Sequence, residues 1–306
     1  MDQATHKNLS ALLLINPNSR QGQDAIECAK ENLTRRGFKV MVPTFESPGE
    51  FSTLIEKHAK EIDLVVIGGG DGSVRSGIAG LLKTKLPLGV IPLGTANNFA
   101  RNLGIVGDVE VACDVLVEGE EKIVDVAEVN GFYFLNVAGL GLSTDVNQTV
   151  PKEFKRTWGV IAYIVWAFKT WSKSRAHHVW ITCDGKKKKV RTHQLTICNG
   201  RFFGNGLTIA PEAEITDGKL DLISLESRTL LHGIGHLIKF IFGTTAKRDG
   251  FVRLSGEELE IRTSKPKDID TDGEILTQTP AVFKVHRSAL RVIALKIAVP
   301  PAEATV

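Results

Sequence analysis

The sequence predicts an α/β N-terminal domain, a parallel sheet flanked by helices, followed by a mainly antiparallel β-sandwich domain with helical inserts. Three observations carry this reading. Up to about residue 123, short apolar runs rich in Val, Ile and Leu alternate with stretches of helical spacing, the order of a parallel sheet. Beyond that point the pattern changes to short alternating strands, joined at Asn130-Gly131 and Asp184-Gly185, dipeptides that favour two-residue hairpin turns. At 306 residues the chain is also long enough to build two cores.

Ala11 to Ile15 reads as the first strand, ended by the turn-rich Asn16-Pro17-Asn18-Ser19-Arg20. Asp24 to Arg36 has helical spacing through Ile26, Ala29 and Leu33, and Gly37 stops it. Phe38 to Val42 is a second strand, Ser52 to Lys60 a helix and Leu64 to Ile67 a third strand. The next helix is expected to begin near Ser73 and to run over Val74 to Leu82. Leu88 to Ile91 is a fourth strand, and Pro92 to Arg101 is again a glycine turn opening into a helix. Two such loops after neighbouring strands are expected on one ligand side of the sheet.

In the second half, strands are expected at Val124 to Val129, Phe132 to Val137, His178 to Cys183, Val190 to Cys198, Leu207 to Ala210, Leu220 to Leu225, Glu258 to Thr263 and Val282 to His286. The apolar segment Leu290 to Ile297 is expected to return to the first domain. The domains then span 8–123 plus 288–306, and 124–287. Two helical inserts, Trp158 to Trp171 and Leu230 to Phe242, interrupt this half. The first is flanked by Lys152, Lys155, Arg156, Lys169, Lys173 and Arg175, a composition suited to a membrane interface, although covering a sheet is the commoner fate of such helices. Lys186 to Lys189 follows an Asp-Gly turn and reads as a solvated hairpin, with contact to anionic lipid head groups as the alternative.

A formal net charge of +3 excludes a strongly basic nucleic-acid binder, so no nucleic-acid partner is expected. Cys28, Cys113, Cys183 and Cys198 are scattered, without zinc-type spacing, and are expected as reduced core residues. Met1 to Ser10 lacks the order of a signal peptide, and no apolar run reaches the roughly 20 residues needed to span a bilayer. The expectation is a cytoplasmic protein, peripheral at the inner membrane face.

The richest chemical signal is Asp63-Leu-Val-Val-Ile-Gly-Gly-Gly-Asp-Gly-Ser73, a strand running into glycines. Backbone amides of Gly69, Gly70 and Gly72 can approach an anion with no Cβ in the way, and a following helix lends its positive end. Asp71 repels a phosphate unless a cation or a network of donors stands between, which hints at a metal-linked nucleotide. Acid-glycine turns in the second half, Asp217-Gly218 and Asp270-Thr271-Asp272-Gly273-Glu274, supply carboxylates that phosphoryl transfer needs. Asp217 alone reads as a hairpin turn. Three acids packed around Gly273 gain nothing structurally unless a cation or proton traffic compensates.

The order Gly-Gly-Asp-Gly-Ser, then Pro92-Leu-Gly-Thr-Ala-Asn-Asn-Phe-Ala-Arg101, then Ala210-Pro211 and Asp217-Gly-Lys-Leu-Asp-Leu222, then Asp272-Gly-Glu274 resembles the diacylglycerol kinase catalytic-domain family. The likeness covers nearly the whole chain and is closest in style to soluble bacterial lipid kinases. It implies an NAD-kinase-like α/β domain and an enzyme that uses ATP and magnesium (Mg2+) to phosphorylate a lipid hydroxyl, with the nucleotide in a cleft between the domains. It also implies a lipid substrate at a membrane surface and a homodimer. By position, Asn16, Pro17, Asn18, Ser19, Arg20, Thr44, Gly69, Gly70, Asp71, Gly72, Ser73, Val74, Arg75 and Thr95 would contact ATP. Glu274 would be the general base, Asp71 would meet the magnesium of ATP, and Asp217 with the carbonyls of Glu214 and Lys219 would hold a second, structural metal.

Two positions depart from the family pattern: Arg75 stands where a small polar residue is usual, and Asn98 replaces an acid. A second enzyme reading is an NAD kinase, which shares the Gly-Gly-Asp-Gly loop, but this chain lacks the later Gly-Ser-Thr-Ala-Tyr type motif expected there. A nucleotide-binding sensor with a weakened site is the third reading. Replacing Glu274 or Asp71 is expected to lower transfer while leaving the melting temperature nearly unchanged.

Overall fold

The computed structural model describes residues 9–17, 22–142, 176–203, 206–226 and 251–296. Both expected helical inserts lie outside these residues, as do Asn18, Ser19 and Arg20. The chain divides into two compact units, one holding the residues up to Val124 and those from Leu290 onward, the other Asp125–Ala289.

The first unit is built from β1 (Ser10–Ile15), α1 (Gly22–Arg35), β2 (Lys39–Met41), α2 (Phe51–His58), β3 (Leu64–Gly69), α3 (Asp71–Thr84), β4 (Leu88–Pro92), α4 (Asn98–Asn102) and α5 (Val109–Glu118). Its strands are parallel in the order β2-β1-β3-β4, with Leu13 opposite Val66 and Ile67 opposite Val90. Residues 11–15 and 64–68 are buried without interruption, as strands covered on both faces must be. The last stretch of the chain's final strand adds in parallel through Val292 opposite Leu88. Arg291 fixes it, donating to both carboxylate oxygens of Glu121 at 2.6 and 2.7 Å and to the Lys85 carbonyl at 3.0 Å.

The sequence reading omitted α5, whose signal was a cap: Asp108 accepts the Val111 amide at 3.0 Å. It also started α3 two residues late. Gly70 is the N-cap and Asp71 is already helical.

The second unit contains β5 (Glu120–Val129), which enters it from the first, then β6 (Phe132–Phe134), β7 (Val137–Gly141), β8 (His177–Cys183), β9 (Lys186–Thr192), β10 (Gln194–Cys198), β11 (Phe202–Phe203), β12 (Leu207–Thr208), β13 (Leu220–Leu225), β14 (Phe251–Gly256), β15 (Glu258–Thr263), β16 (Asp268–Thr271), β17 (Glu274–Gln278) and β18 (Ala281–Ala294). One sheet runs β14-β13-β10-β7-β16-β17; the other runs β18-β15-β8-β9, with β5 on β18 and β6 on β5. Inward residues of both sheets share one core: Phe134, Val179, Ile181, Leu259 and Phe283 face Leu140, Leu195, Ile197, Leu222 and Ile269. Phe134 and Phe283 meet edge to face at 6.2 Å. At Asn130-Gly131, Asp184-Gly185 and Asp272-Gly273 both turn residues have positive φ, as two-residue hairpins of this hand require.

Three expected strands are corrected. Phe132 to Val137 breaks in two because the amides of Leu135 and Asn136 turn to the Asp272 carboxylate. Val190 to Cys198 breaks at His193, where the chain passes from one sheet to the other and the His193 amide donates to the Leu225 carbonyl at 3.2 Å. Val282 to His286 and the stretch after Leu290 are one strand, kinked at Ser288 (φ 46°), whose amide donates to Asp125 at 2.7 Å. Nothing in the sequence marked β11, β14, β16 and β17 as strands. Cys113, Cys183 and Cys198 are buried as expected, but Cys28 is exposed on α1.

Candidate functional site

In the first unit, parallel strands deliver four loops to one edge of the sheet. Ile15 lies opposite Gly68 and Gly69 opposite Pro92 in neighbouring registers, so Asn16 and Pro17, residues 70–75 and residues 93–95 leave the sheet side by side. Thr44, exposed, follows β2. Ligands in open α/β sheets gather at such carboxyl ends.

Two of these loops touch through glycines. A Cβ on Gly94 would stand 2.5 Å from the Gly70 Cα, so this contact admits only glycine, and the Leu93 amide donates to the Gly69 carbonyl at 3.0 Å. Asn97, in the left-handed region at φ 49°, brackets Gly94: its Oδ1 accepts the Gly94 amide and its Nδ2 donates to the Gly94 carbonyl, both at 2.8 Å. Thr95, exposed, is carried on this clamped turn.

Asp71 is 9% exposed, and its carboxylate accepts the backbone amides of Asn98 at 3.0 Å and Phe99 at 2.8 Å. The network of donors that the sequence asked for is therefore the start of α4. Sequence reasoning missed Asn97, Asn98 and Phe99 as partners of the nest; Asn98 was noted only as a lost acid. Ser73 and Val74 give their amides to the Gly70 carbonyl at 3.0 and 3.2 Å. Val74 is 1% exposed, so it supports the loop from the core and presents no side-chain surface to a ligand. Asn16, Gly69, Gly70, Gly72, Ser73 and Arg75 are half-buried, and Pro17 is exposed.

The second unit holds two acidic turns. In one, the Asp217 carboxylate accepts the Lys219 amide at 2.9 Å, and the Asp217 amide donates to the Glu214 carbonyl at 3.5 Å. Asp125, 1% exposed, anchors this turn by accepting Gly218 N at 2.7 Å, while its other oxygen takes Ser288 N. Arg287 adds a bond to the Gly218 carbonyl at 3.2 Å. Burial pushes the Asp217 carboxyl above the usual carboxylate range, and the neighbouring charges of Asp221 and Asp125 add to the shift. Asp221 is raised as well, chiefly by burial. Asp125 was absent from the sequence reading because nothing local marks it; its partners lie 93 and 163 residues away.

In the other turn, Asp272 accepts the amides of Leu135, Asn136 and Val137 at 2.7, 3.0 and 3.1 Å. Asp270, 4% exposed, accepts the Gly273 amide at 2.9 Å. These two acids thus have a structural gain that the sequence reading denied them. Glu274, exposed, opens β17 and leaves the turn towards solvent. Asn199 links the two turns: it is 1% exposed, its Nδ2 donates to the Leu135 carbonyl at 2.9 Å and the Asp125 carbonyl at 3.4 Å, and its Oδ1 is buried without a partner.

At Asp217 the described oxygens are its own carboxylate, which accepts the Lys219 amide, and the Glu214 carbonyl, which accepts the Asp217 amide, oxygen donors of the kind a hard cation takes. Among the described residues no group of three or more His, Cys, Asp or Glu side chains could hold a metal by itself, so a cation here depends on backbone carbonyls. At Asp71 both oxygens already accept amides, which fits a charge facing a cation better than a dedicated cage.

The diacylglycerol kinase catalytic domain model matches residues 10–129, and the model of the YegS C-terminal NAD kinase beta sandwich-like domain matches residues 136–294. An uncharacterised Synechocystis protein is 31% identical over 238 residues; the alignment takes in 75% of this chain, which spans about half (54%) of that relative. A diacylglycerol kinase of Bacillus subtilis is 30% identical over 233 residues, 74% of this chain and 76% of the relative. A solved Bacillus anthracis structure, described as a candidate diacylglycerol kinase, superposes with a TM-score of 0.79 at 26% identity, covering 94% of this chain and 98% of the other.

Proposed function

The chain belongs to the diacylglycerol kinase catalytic-domain family of phosphotransferases with an alcohol acceptor, and we propose that it moves the terminal phosphoryl group of ATP to a lipid hydroxyl. The observation that carries this is the Gly70–Gly94 contact. Two glycine turns in contact, tied by an amide-accepting aspartate, present backbone with no Cβ, the kind of lining a phosphate chain requires.

In this reading the nucleotide-binding part is 8–123 with 288–306, and 124–287 carries the base and a structural metal. Asn16, Pro17, Asn18, Ser19, Arg20, Thr44, Gly69, Gly70, Gly72, Ser73, Arg75 and Thr95 bind ATP, and Val74 acts only through the fold of the loop. Asp71 holds the cradle together and faces the magnesium that ATP brings. The carboxylate of Glu274 accepts the proton of the acceptor hydroxyl. Asp217, with the Glu214 and Lys219 carbonyls, would hold magnesium, which when bound neutralises the raised carboxyls and stiffens the turn. Asp125 and Asn199 orient that turn from within the core. The enzyme works as a homodimer on a diacylglycerol-like lipid, in peripheral contact with the inner membrane face.

Incubation with labelled ATP, magnesium and a panel of lipid extracts in competition with NAD, followed by chromatography, tests this. Label in a lipid product supports it. Label in NAD instead of lipid establishes the NAD kinase alternative, and ATP binding with no transfer establishes the sensor that Arg75 and Asn98 suggest.

A further inference from the structure

We propose that the outer face of β8, β9 and β15 docks the protein on an anionic phospholipid surface, with Trp180 as its apolar anchor. The proposal rests on the lipid-kinase reading, which puts the acceptor in a bilayer.

Strand alternation builds the face. Val179, Ile181, Cys183, Val190, Leu259 and Ile261 point into the sandwich core, which turns Trp180, Lys187, Lys189, Arg191 and Arg262 outward. Register then groups them. Trp180 lies opposite Lys189 on one side and Arg262 on the other, His178 opposite Arg191, and Thr182 opposite Lys187. Trp180 is 41% exposed, with the Lys189 ammonium 5.2 Å from its ring centroid.

The acids of this face are already engaged. Glu260 pairs with Arg262, and Glu258 pairs with Lys284 at 3.6 Å. Lys187, Lys189 and Arg191 have no carboxylate within ion-pair distance among the described residues, so three cations making no ion pair there flank an exposed indole. Indole with flanking cations is the composition of a lipid head-group boundary, where the ring takes the apolar level and the ammonium groups take phosphates. β9 is also a sheet edge, where lysines block strand addition. Edge protection explains Lys187 and Lys189 but requires no tryptophan on the adjacent strand.

The test is co-sedimentation of the full chain, without nucleotide, with vesicles of phosphatidylglycerol mixed with phosphatidylcholine, and with phosphatidylcholine alone. The unmodified protein should sediment only with the mixed vesicles, and less as salt rises. Each cation strengthens binding about fivefold, so Lys187→Gln/Lys189→Gln/Arg191→Gln together should weaken it about 100-fold. Trp180→Gln should weaken it about tenfold, and Lys187→Arg/Lys189→Arg should retain it. Undiminished binding by the triple variant, equal binding to phosphatidylcholine alone, or tighter binding to heparin or duplex DNA overturns the proposal. If the triple variant does not fold, the salt titration of the unmodified protein decides: binding indifferent to salt overturns it. A protein that phosphorylates detergent-dispersed lipid yet does not sediment refutes the docking face alone. One that sediments yet transfers no phosphate refutes the kinase alone.

Discussion

The Asp71 carboxylate accepts the Phe99 backbone amide at 2.8 Å, so the residue that opens α3 also fixes the first turn of α4. A second bond, from the Asn98 amide at 3.0 Å, completes a clamp between the two glycine loops. This revises what Asp71 does. From sequence it was a charge facing a cation; in the fold it also sits in the first turn of α3 and accepts the first amides of α4.

The first prediction follows. Asp71→Ala leaves two buried amides without their acceptor, which costs about 2–4 kcal/mol, so it should lower the melting temperature as well as activity. Asp71→Asn keeps an acceptor oxygen and should recover part of the stability but little of the transfer. Thermal unfolding beside a transfer assay checks both, and an Asp71→Ala protein as stable as the parent would remove the clamp from the explanation.

Gly70 and Gly94 should respond differently to the same added methyl group. On Gly94 it meets the Gly70 Cα at 2.5 Å, whereas on Gly70, at φ −87°, the nearest atom is 3.4 Å away. Gly94→Ala should therefore disturb the fold of the loop and abolish ATP binding. Gly70→Ala should fold normally, its methyl in ordinary contact with the Gly94 Cα and otherwise in open space, and raise the ATP dissociation constant by about tenfold or more if the proposed phosphate site lies against that open side. Calorimetric titration with ATP separates them; unchanged affinity in Gly70→Ala would show that no phosphate lies there.

Asp272→Ala and Glu274→Gln, two residues apart, should separate stability from chemistry. Losing the acceptor of three amides costs on the order of 3 kcal/mol, and the break between β6 and β7 loses its cause. Glu274, exposed at the start of β17, should be replaceable without a change in melting temperature. Urea unfolding of both variants is the check.

The raised carboxyls of Asp217 and Asp221 set a pH dependence. A carboxyl held above its unfolded value favours the protonated native state, so its contribution is full below the unfolded value and is lost as pH rises through the folded one. Without metal, the contribution of these two carboxyls to stability should therefore fall as pH rises through the acid range. Magnesium, binding the ionised form, should raise the melting temperature more at neutral pH than in acid, and Asp217→Asn should abolish that difference. An equal magnesium effect at both pH values would contradict the site.

What the sequence made legible was whatever is local. Parallel strands declared themselves as uninterrupted apolar runs because both faces are buried, and the Asp-Gly and Asn-Gly hairpins because positive φ at both turn residues favours those types. What it hid was long-range. Nothing near Phe132 shows that the strand must break for Asp272, 136 residues further on from Asn136, and nothing near Asp125 shows that it holds Gly218 and Ser288. A side chain whose partners are distant backbone amides leaves no periodicity behind. The nest after β3 was legible as a glycine cluster, but its rigidity belongs to Asn97 and the start of α4, which composition does not connect to it.

The most direct measurement is transfer of labelled phosphate from ATP to lipid by the unmodified chain and by Glu274→Gln, with ATP affinity and melting temperature read on both. The prediction is a labelled lipid from the parent and a turnover lower by orders of magnitude in the variant, with affinity and melting temperature unchanged. Equal turnover in the two proteins, or no labelled lipid from the parent while it binds ATP, would contradict it.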